Sequence, residues 1–353
     1  MKVAIIVPRI DQLGPVKVIQ YLVNSLTKFD GLILKVFYLD KSVDKYMSMS
    51  VPLERLDRQN FCFSDYDIIH TNGIRPDLFA FLNRKKIKYH ISTIHNFVFE
   101  DLAFGYNMFV SWFFGNIWLI LWKRADKLVC VSEAMKNYYA KWFPIPKLEV
   151  SYNGIEGTDN SFVPDNDVIQ AIDSFHSKKL KVLGCAGVLT KRKGIDQILY
   201  LMASEKEFAL VIIGDGKELH NLIHLSEKLR ITERCLFSGF RSNAVSFFRY
   251  FDFFIMPSRS EGFGLALIEA VQQKVPVICS DIPVFNELFN NEEVTFFKLN
   301  DLKSLAEAFK MAQENGNKKT DLAYVRYLNN YTALSMAKNY SELYKSAQLT
   351  QLN

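Results

Sequence analysis

Pro257-Ser258-Arg259-Ser260-Glu261-Gly262-Phe263-Gly264-Leu265-Ala266-Leu267-Ile268-Glu269-Ala270 decides how this 353-residue chain is read. Ahead of it, residues 251–256 form an aromatic and apolar run closed by Pro257, which predicts a buried strand. Behind it, Leu265, Ile268, Glu269 and Val271 fit a helix ending near Lys274, shortly before Pro276. A strand therefore delivers a glycine-containing turn, and the turn opens a helix. Unpaired N–H groups and the positive dipole end at such a start suit a phosphate. Gly262 and Gly264 allow close approach of the backbone to it. From Gly264 to Glu269 a helix rises about 7.5 Å, so a diphosphate at the turn leaves Glu269 within reach of an attached ribose. Glu261 falls on the other side of the phosphates, where a transferred group lies. The plainer alternative makes Glu261 a capping acid and Glu269 a solvated helix residue.

Length and composition suit two domains of ordinary size with sizeable cores: 49% of residues are hydrophobic and 23% charged. Five scattered cysteines (62, 130, 185, 235 and 279) show neither CxxC pairs nor histidines at metal spacing. They read as free thiols in a reducing compartment. The opening residues 1–8 pass straight into a strand pattern and are expected to be a first strand, not a signal peptide. Net charge is +5 but uneven, with 20 Lys/Arg against 14 Asp/Glu in residues 1–150. A basic first half suits nucleic acid or an anionic membrane. No nucleic-acid module accompanies it, so nucleic acid is set aside.

Along the chain, strand and helix patterns alternate. Residues 3–7, then Gly14, then Val16, Ile19, Leu22, Val23 and Leu26 predict strand, loop and helix, the opening of a doubly wound domain. Asp65-Tyr66-Asp67 has Asp-x-Asp metal spacing but precedes a strand, so it reads as a turn and no metal site is expected. His95 stands at the carboxyl end of the strand at 89–94, where ligands gather in open α/β sheets, although a lone His is commonly structural. Residues 102–122 carry no charge and are rich in Phe and Trp. They admit a membrane span, a core helix, or an interfacial helix beside Lys123 and Arg124. Gly105, Asn107, Ser111, Gly115 and Asn116 weaken the span. The polar stretch 156–179 reads as a linker. After a strand at 180–187, Lys191, Arg192 and Lys193 put three cations at a strand-to-helix turn. Fixed cations there would stabilise a diphosphate leaving group, the alternative being a solvated turn. Residues 331–348 show a last helix through Leu334, Ala337, Tyr340, Leu343 and Tyr344.

The central string, with its second Glu eight positions after the first, resembles the Glu-x7-Glu signature of retaining glycosyltransferases, most closely the large family-four (group 1) set. That resemblance implies an α/β fold of two Rossmann-like doubly wound domains facing across a cleft, the GT-B arrangement. It implies an acceptor-side domain at 1–155, a linker region at 156–179, a nucleotide-sugar domain at 180–330 and a helix at 331–353 crossing back to the first domain. In such enzymes the residue matching Glu269 binds the ribose hydroxyls and that matching Glu261 lies beside the donor sugar. The backbone of Gly262, Phe263, Gly264 and Leu265 would hold the diphosphate. Thr93-Ile94-His95 is similar to the family's Thr-x-His, whose His touches the donor sugar. Gly239 and Phe240 match the loop that meets the base. Gly14 matches a phosphate-side loop, with Pro15 where a second glycine is usual. Lys193 keeps the family's lysine, but Val188 stands where the family has Arg, and Arg192 is the cation at hand.

The implied activity is retaining transfer of a hexose-type sugar from a UDP- or GDP-linked donor, without metal or other cofactor. The implied acceptor is a glycan, in particular a lipid-linked oligosaccharide of bacterial surface polysaccharide (O-antigen, capsule or lipopolysaccharide). Location would be cytoplasmic, peripheral at the inner face of an anionic membrane. Two other classes compete: a nucleotide-sugar epimerase on the same fold, and a non-catalytic scaffold subunit. A scaffold typically loses Glu261, Glu269, Lys193 or His95, and all four are present. A nicotinamide dehydrogenase is disfavoured because no GxGxxG follows the first strand.

Overall fold

A computed structural model describes residues 1–10, 14–40, 48–157 and 164–352. They form two compact units, one of residues 1–102, 108–156 and 329–353, the other of 103–107 and 157–328.

The first unit alternates strand and helix: β1 (Lys2–Arg9), α1 (Gly14–Leu26), β2 (Ile33–Asp40), β3 (Leu53–Arg55), β4 (Ile68–Asn72), α2 (Ile74–Leu82) and β5 (Tyr89–Ile94). α3 (Val98–Gly105), α4 (Met108–Lys123), β6 (Lys127–Cys130), α5 (Glu133–Tyr139) and β7 (Leu148–Val150) follow. The sheet is parallel, in the order β3-β2-β1-β4-β5-β6-β7. Helices cover both faces of such a sheet, which is why β1 is an unbroken apolar run, Val3 through Val7, with every residue buried. Ser132 caps α5, accepting the Met135 N–H on Oγ.

The second unit repeats the plan with α6 (Asn166–Ser177), β8 (Lys181–Ala186), α7 (Asp196–Ser204), β9 (Phe208–Ile213), α8 (Leu219–Lys228) and β10 (Cys235–Phe237). β11 (Phe253–Met256), α9 (Leu265–Gln272), β12 (Val277–Ser280), α10 (Pro283–Leu288), β13 (Thr295–Phe297) and the long α11 (Leu302–Asn330) complete it. This sheet is also parallel, in the order β10-β9-β8-β11-β12-β13. Its order reverses between β8 and β11, so a crevice is expected at their carboxyl ends.

The last helix, α12 (Ala333–Leu352), belongs to the first unit and packs on α1. Tyr344 Oη lies 2.7 Å from His70 Nδ1, and Tyr340 Oη 2.9 Å from Thr93 Oγ1, pinning α12 to β4 and β5.

The structure departs from the expectations in two places. The stretch 156–179 is not simply a linker: it contains α6, whose Val168, Ile172 and Phe175 are buried. Their helical spacing is an apolar stripe that the polar composition conceals. Residues 158–163 of that stretch lie outside the described residues. The uncharged run 102–122 is not one helix but the end of α3 and most of α4, and no helix among the described residues is long and apolar enough to cross a membrane.

Candidate active site

The loops after β8 and β11 meet in the second unit at the reversal of its strand order. β11 ends at Met256, and Ser258 is buried immediately after it. Ser258 Oγ donates to Glu261 Oε1 at 2.7 Å, while Ser280 Oγ donates to the Ser258 carbonyl at 2.5 Å. Lys193 Nζ reaches the same Oε1 at 2.7 Å, and Arg192 Nη1 reaches Oε2 at 2.9 Å. Glu261 is therefore a buried carboxylate held by two cations and a hydroxyl. Burial alone would push its pKa up, but Lys193 and Arg192, with the hydrogen bonds from Lys193 and Ser258, hold it down at about 2.

Several contacts clamp the basic turn onto the Glu261 turn. Arg192 Nη1 also donates to the Ser260 carbonyl at 2.7 Å, and the Arg259 N–H donates to the Arg192 carbonyl at 2.7 Å. The Arg259 guanidinium forks onto Asp196 at 2.9 and 2.7 Å. Buried Gln197 spends its amide NH2 on the Gly194 and Pro257 carbonyls and accepts the Asn300 N–H on Oε1. Gly194 is needed here: its φ is +64°, and a Cβ would sit 2.1 Å from the Pro257 carbonyl oxygen. In the sequence Ser258 stands out only as part of the string, and Gln197, Asp196 and the supporting role of Arg259 do not show, because their significance lies in contacts across 60 or more residues of chain.

Gly264, at φ +96°, delivers the chain into α9, and a Cβ on it would press on the Phe285 ring at 2.7 Å. Gly262 and Phe263 are buried, so the Phe263 ring is core and only backbone is offered there. Glu269 is half-buried on α9, one turn past Leu265. Val188 is 51% exposed and brings no charge to the position it occupies. Arg192 and Lys193 are the cations that reach this turn. After β10, Gly239 pairs with Gly214 and turns at φ +73°, leaving Phe240 64% exposed.

Gly14 and His95 belong to the first unit. Gly14 is the first residue of α1, and residues 11–13 before it lie outside the described residues. His95 follows β5, with Nε2 2.9 Å from Asn72 Oδ1, and burial lowers its pKa to about 4. Asp67, the second acid of the Asp-x-Asp spacing, accepts the Lys2 N–H and the Lys88 ammonium at the amino end of the strands. That is a structural use, as a turn predicts. Among the described residues no group of three His, Cys, Asp or Glu side chains is placed to hold a metal.

Two parallel-sheet units, one carrying a glutamate–cation turn at its switch point, define a glycosyltransferase of the GT-B class. Comparison with known proteins carries this further. The family model described as Glycosyl transferases group 1 matches residues 169–327, and that described as Glycosyltransferase Family 4 matches residues 2–157. The O-antigen biosynthesis glycosyltransferase WclY of Escherichia coli is 34% identical, with 98% of each chain covered. Among solved structures, HepE of Anabaena in complex with UDP-glucose shares the fold at a TM-score of 0.77 and 15% identity, covering 98% of this chain and 100% of that one. Sucrose-phosphate synthase from Thermosynechococcus elongatus does so at 0.79 and 17%, covering 100% of both. The chain belongs to the group 1, family-four glycosyltransferases.

Proposed function

We propose that this glycosyltransferase moves a hexose from a UDP- or GDP-linked donor, with retention, onto a lipid-linked glycan in the assembly of O-antigen or a related bacterial surface polysaccharide. The carrying observation is Glu261, buried and bound to Lys193 and Arg192 at the switch point of the second sheet. In this reading the two cations face the donor diphosphate, Glu269 takes the ribose hydroxyls, and the 262–265 backbone holds phosphate oxygens. Arg192 stands in for the charge that Val188 does not supply, and Gly239 and Phe240 border the base. Glu261 is fully engaged by three donors, which speaks against a covalent nucleophile of the kind used by retaining hydrolases. The acceptor hydroxyl then attacks the anomeric carbon on the face from which the diphosphate leaves. The bond from sugar to diphosphate breaks, the new glycosidic bond forms, and the acceptor's proton passes to a diphosphate oxygen. No metal takes part, since the cations already face the developing charge. The acceptor class is supported by the O-antigen relative of E. coli, similar over the whole chain.

The site of membrane association is α4. Met108, Phe109, Trp112, Phe113 and Ile120 are exposed on it, with Trp112 63% exposed, and Lys123 and Arg124 lie at its end. This apolar stripe beside cations suits the inner, anionic face of the cytoplasmic membrane, with the protein peripheral to it. Trp118 and Trp122 do not share that role: both donate their indole N–H to buried Asp77 at 2.9 Å. The functional test is a screen of UDP- and GDP-sugars with an undecaprenyl-diphosphate-linked sugar acceptor, the product's anomeric configuration being read by NMR. An inverted product, or free epimerised nucleotide sugar without transfer, would overturn the proposal.

A further inference from the structure

In the second unit, the loop after β10 carries an exposed ring between two fixed points. The Ser238 N–H donates to the Ile212 carbonyl at 3.0 Å, and the Gly214 N–H donates to the Gly239 carbonyl at 2.9 Å. These bonds sew residues 238 and 239 to the carboxyl end of β9. Phe240 comes next, 64% exposed. Arg241 then reaches the start of α6, with Nη1 3.0 Å from Asp165 Oδ2 and Nη2 2.6 Å from Asp167 Oδ2. Asp165 stands just ahead of α6 and Asp167 lies in its first turn. That helix is itself anchored: Val168, Ile172 and Phe175 are buried, and it packs on β8.

A single exposed Phe needs no explanation, but the way this one is held does. One guanidinium forks onto two carboxylates 74 and 76 residues away in the chain. Both acids are more than half exposed, and ion pairs of that kind return little stability for the rotamer freedom they use. The fork therefore adds little to the fold, while it removes freedom from the chain beside Phe240. A ring fixed before its ligand arrives lowers the entropy cost of binding. An aromatic face so presented takes a planar heterocycle by stacking, whichever base that is, since every base has a π face. The loop also leaves the carboxyl edge of the parallel sheet, the edge that carries the Glu261 turn and at which ligands gather.

We infer that Arg241, Asp165 and Asp167 are positioning residues for the donor base, their ion-pair fork holding Phe240 as a preset stacking platform. The inference rests on the glycosyl-transfer reading above, in which Gly239 and Phe240 border the base. It gives the two acids an effect opposite in sign to their charge. Through space, carboxylates oppose an anionic diphosphate, so removing them should tighten its binding. As anchors of Arg241 they favour it, so removing them should weaken it.

Calorimetry on the full chain with UDP, GDP and pyrophosphate separates base from phosphate, and the tighter-binding nucleotide is used throughout. Phe240→Ala weakens that nucleotide about tenfold, the scale of one stacked base, and leaves pyrophosphate as before. The double variant Asp165→Ala, Asp167→Ala weakens the nucleotide about fivefold, part of the same stacking contribution, again without effect on pyrophosphate. Neither acid makes a side-chain cap bond at the start of α6, so the helix keeps its circular dichroism. Combined with Phe240→Ala, the double variant causes no further loss, because the acids act only through the ring. Unchanged or tighter nucleotide binding by the double variant overturns the inference. So does an equal loss with pyrophosphate, or the same loss in a chain already lacking the Phe240 ring. If Phe240→Ala binds the nucleotide as wild type does, the base lies elsewhere and the inference falls with that placement. A wild-type chain that binds neither UDP nor GDP fails the glycosyl-transfer reading itself.

Discussion

Replacing Glu261 with Gln keeps the shape of the side chain and removes its charge, so it isolates what the carboxylate does for the second unit. The folded carboxyl titrates at about 2 against an ordinary 4.5, a difference equivalent to about 3 kcal/mol of stability. Because the folded pKa is the lower one, this stability is fully present above pH 4.5. It is lost as the pH falls through 2, when the folded carboxylate takes up its proton. Glu261→Gln should therefore destabilise the second unit by ~3 kcal/mol at pH 7, and by roughly half that at pH 3. All four tryptophans (112, 118, 122 and 142) lie in the first unit, so their fluorescence does not report this change. Amide exchange in β11 and α9 does. If a nucleoside diphosphate brings its anionic oxygens to Lys193 and Arg192, as proposed, UDP should recover more stability in the variant than in wild type. Equal protection of the two proteins at pH 7, or a difference that does not shrink by pH 3, would refute the account of Glu261 as a charge balanced by Lys193 and Arg192.

Glu269→Ala should weaken nucleoside diphosphate binding by about 1.5–3 kcal/mol, the scale of hydrogen bonds to a charged group; unchanged affinity by calorimetry would remove Glu269 from the ribose. Transfer should survive EDTA, because Arg192 and Lys193 already supply cations at the turn; complete loss with rescue by Mn²⁺ or Mg²⁺ would show that a metal is required. Vesicles of anionic lipid should bind the protein less in high salt without releasing it fully, since screening affects the cations and not the aromatic stripe. The double variant Phe109→Ser, Trp112→Ser should lose the salt-resistant part while keeping its circular dichroism; unchanged binding would move the contact away from α4.

The second unit was legible because its chemistry is local in sequence. Glycines, cations and acids fall within a few positions of two strand ends, so the turn after β11 and the basic turn after β8 were readable separately. The contact between them was not readable. Arg192 and Lys193 meet Glu261 across 68 residues or more, through a parallel sheet whose order the sequence does not state. Helix α6 shows the opposite failure, since three apolar residues at good spacing were outvoted by their polar surroundings.

In the first unit, one buried carboxylate governs a surface feature. Residues 108–123 carry aromatics on all sides, so helical periodicity alone cannot say which of them face outward. Asp77, on α2, decides it. The carboxylate is buried and accepts from Thr71 Oγ1 at 2.5 Å, Ser92 Oγ at 2.7 Å and the indoles of Trp118 and Trp122 at 2.9 Å each. Burial pushes its pKa up in spite of these four donors. The two indoles lie one turn apart on α4, so satisfying Asp77 fixes the rotation of that helix about its own axis. Phe109, Trp112 and Phe113 are then left exposed on α4. An isolated reading of the aromatic run groups Trp112 with Trp118, whereas the polar partner beneath the helix separates them.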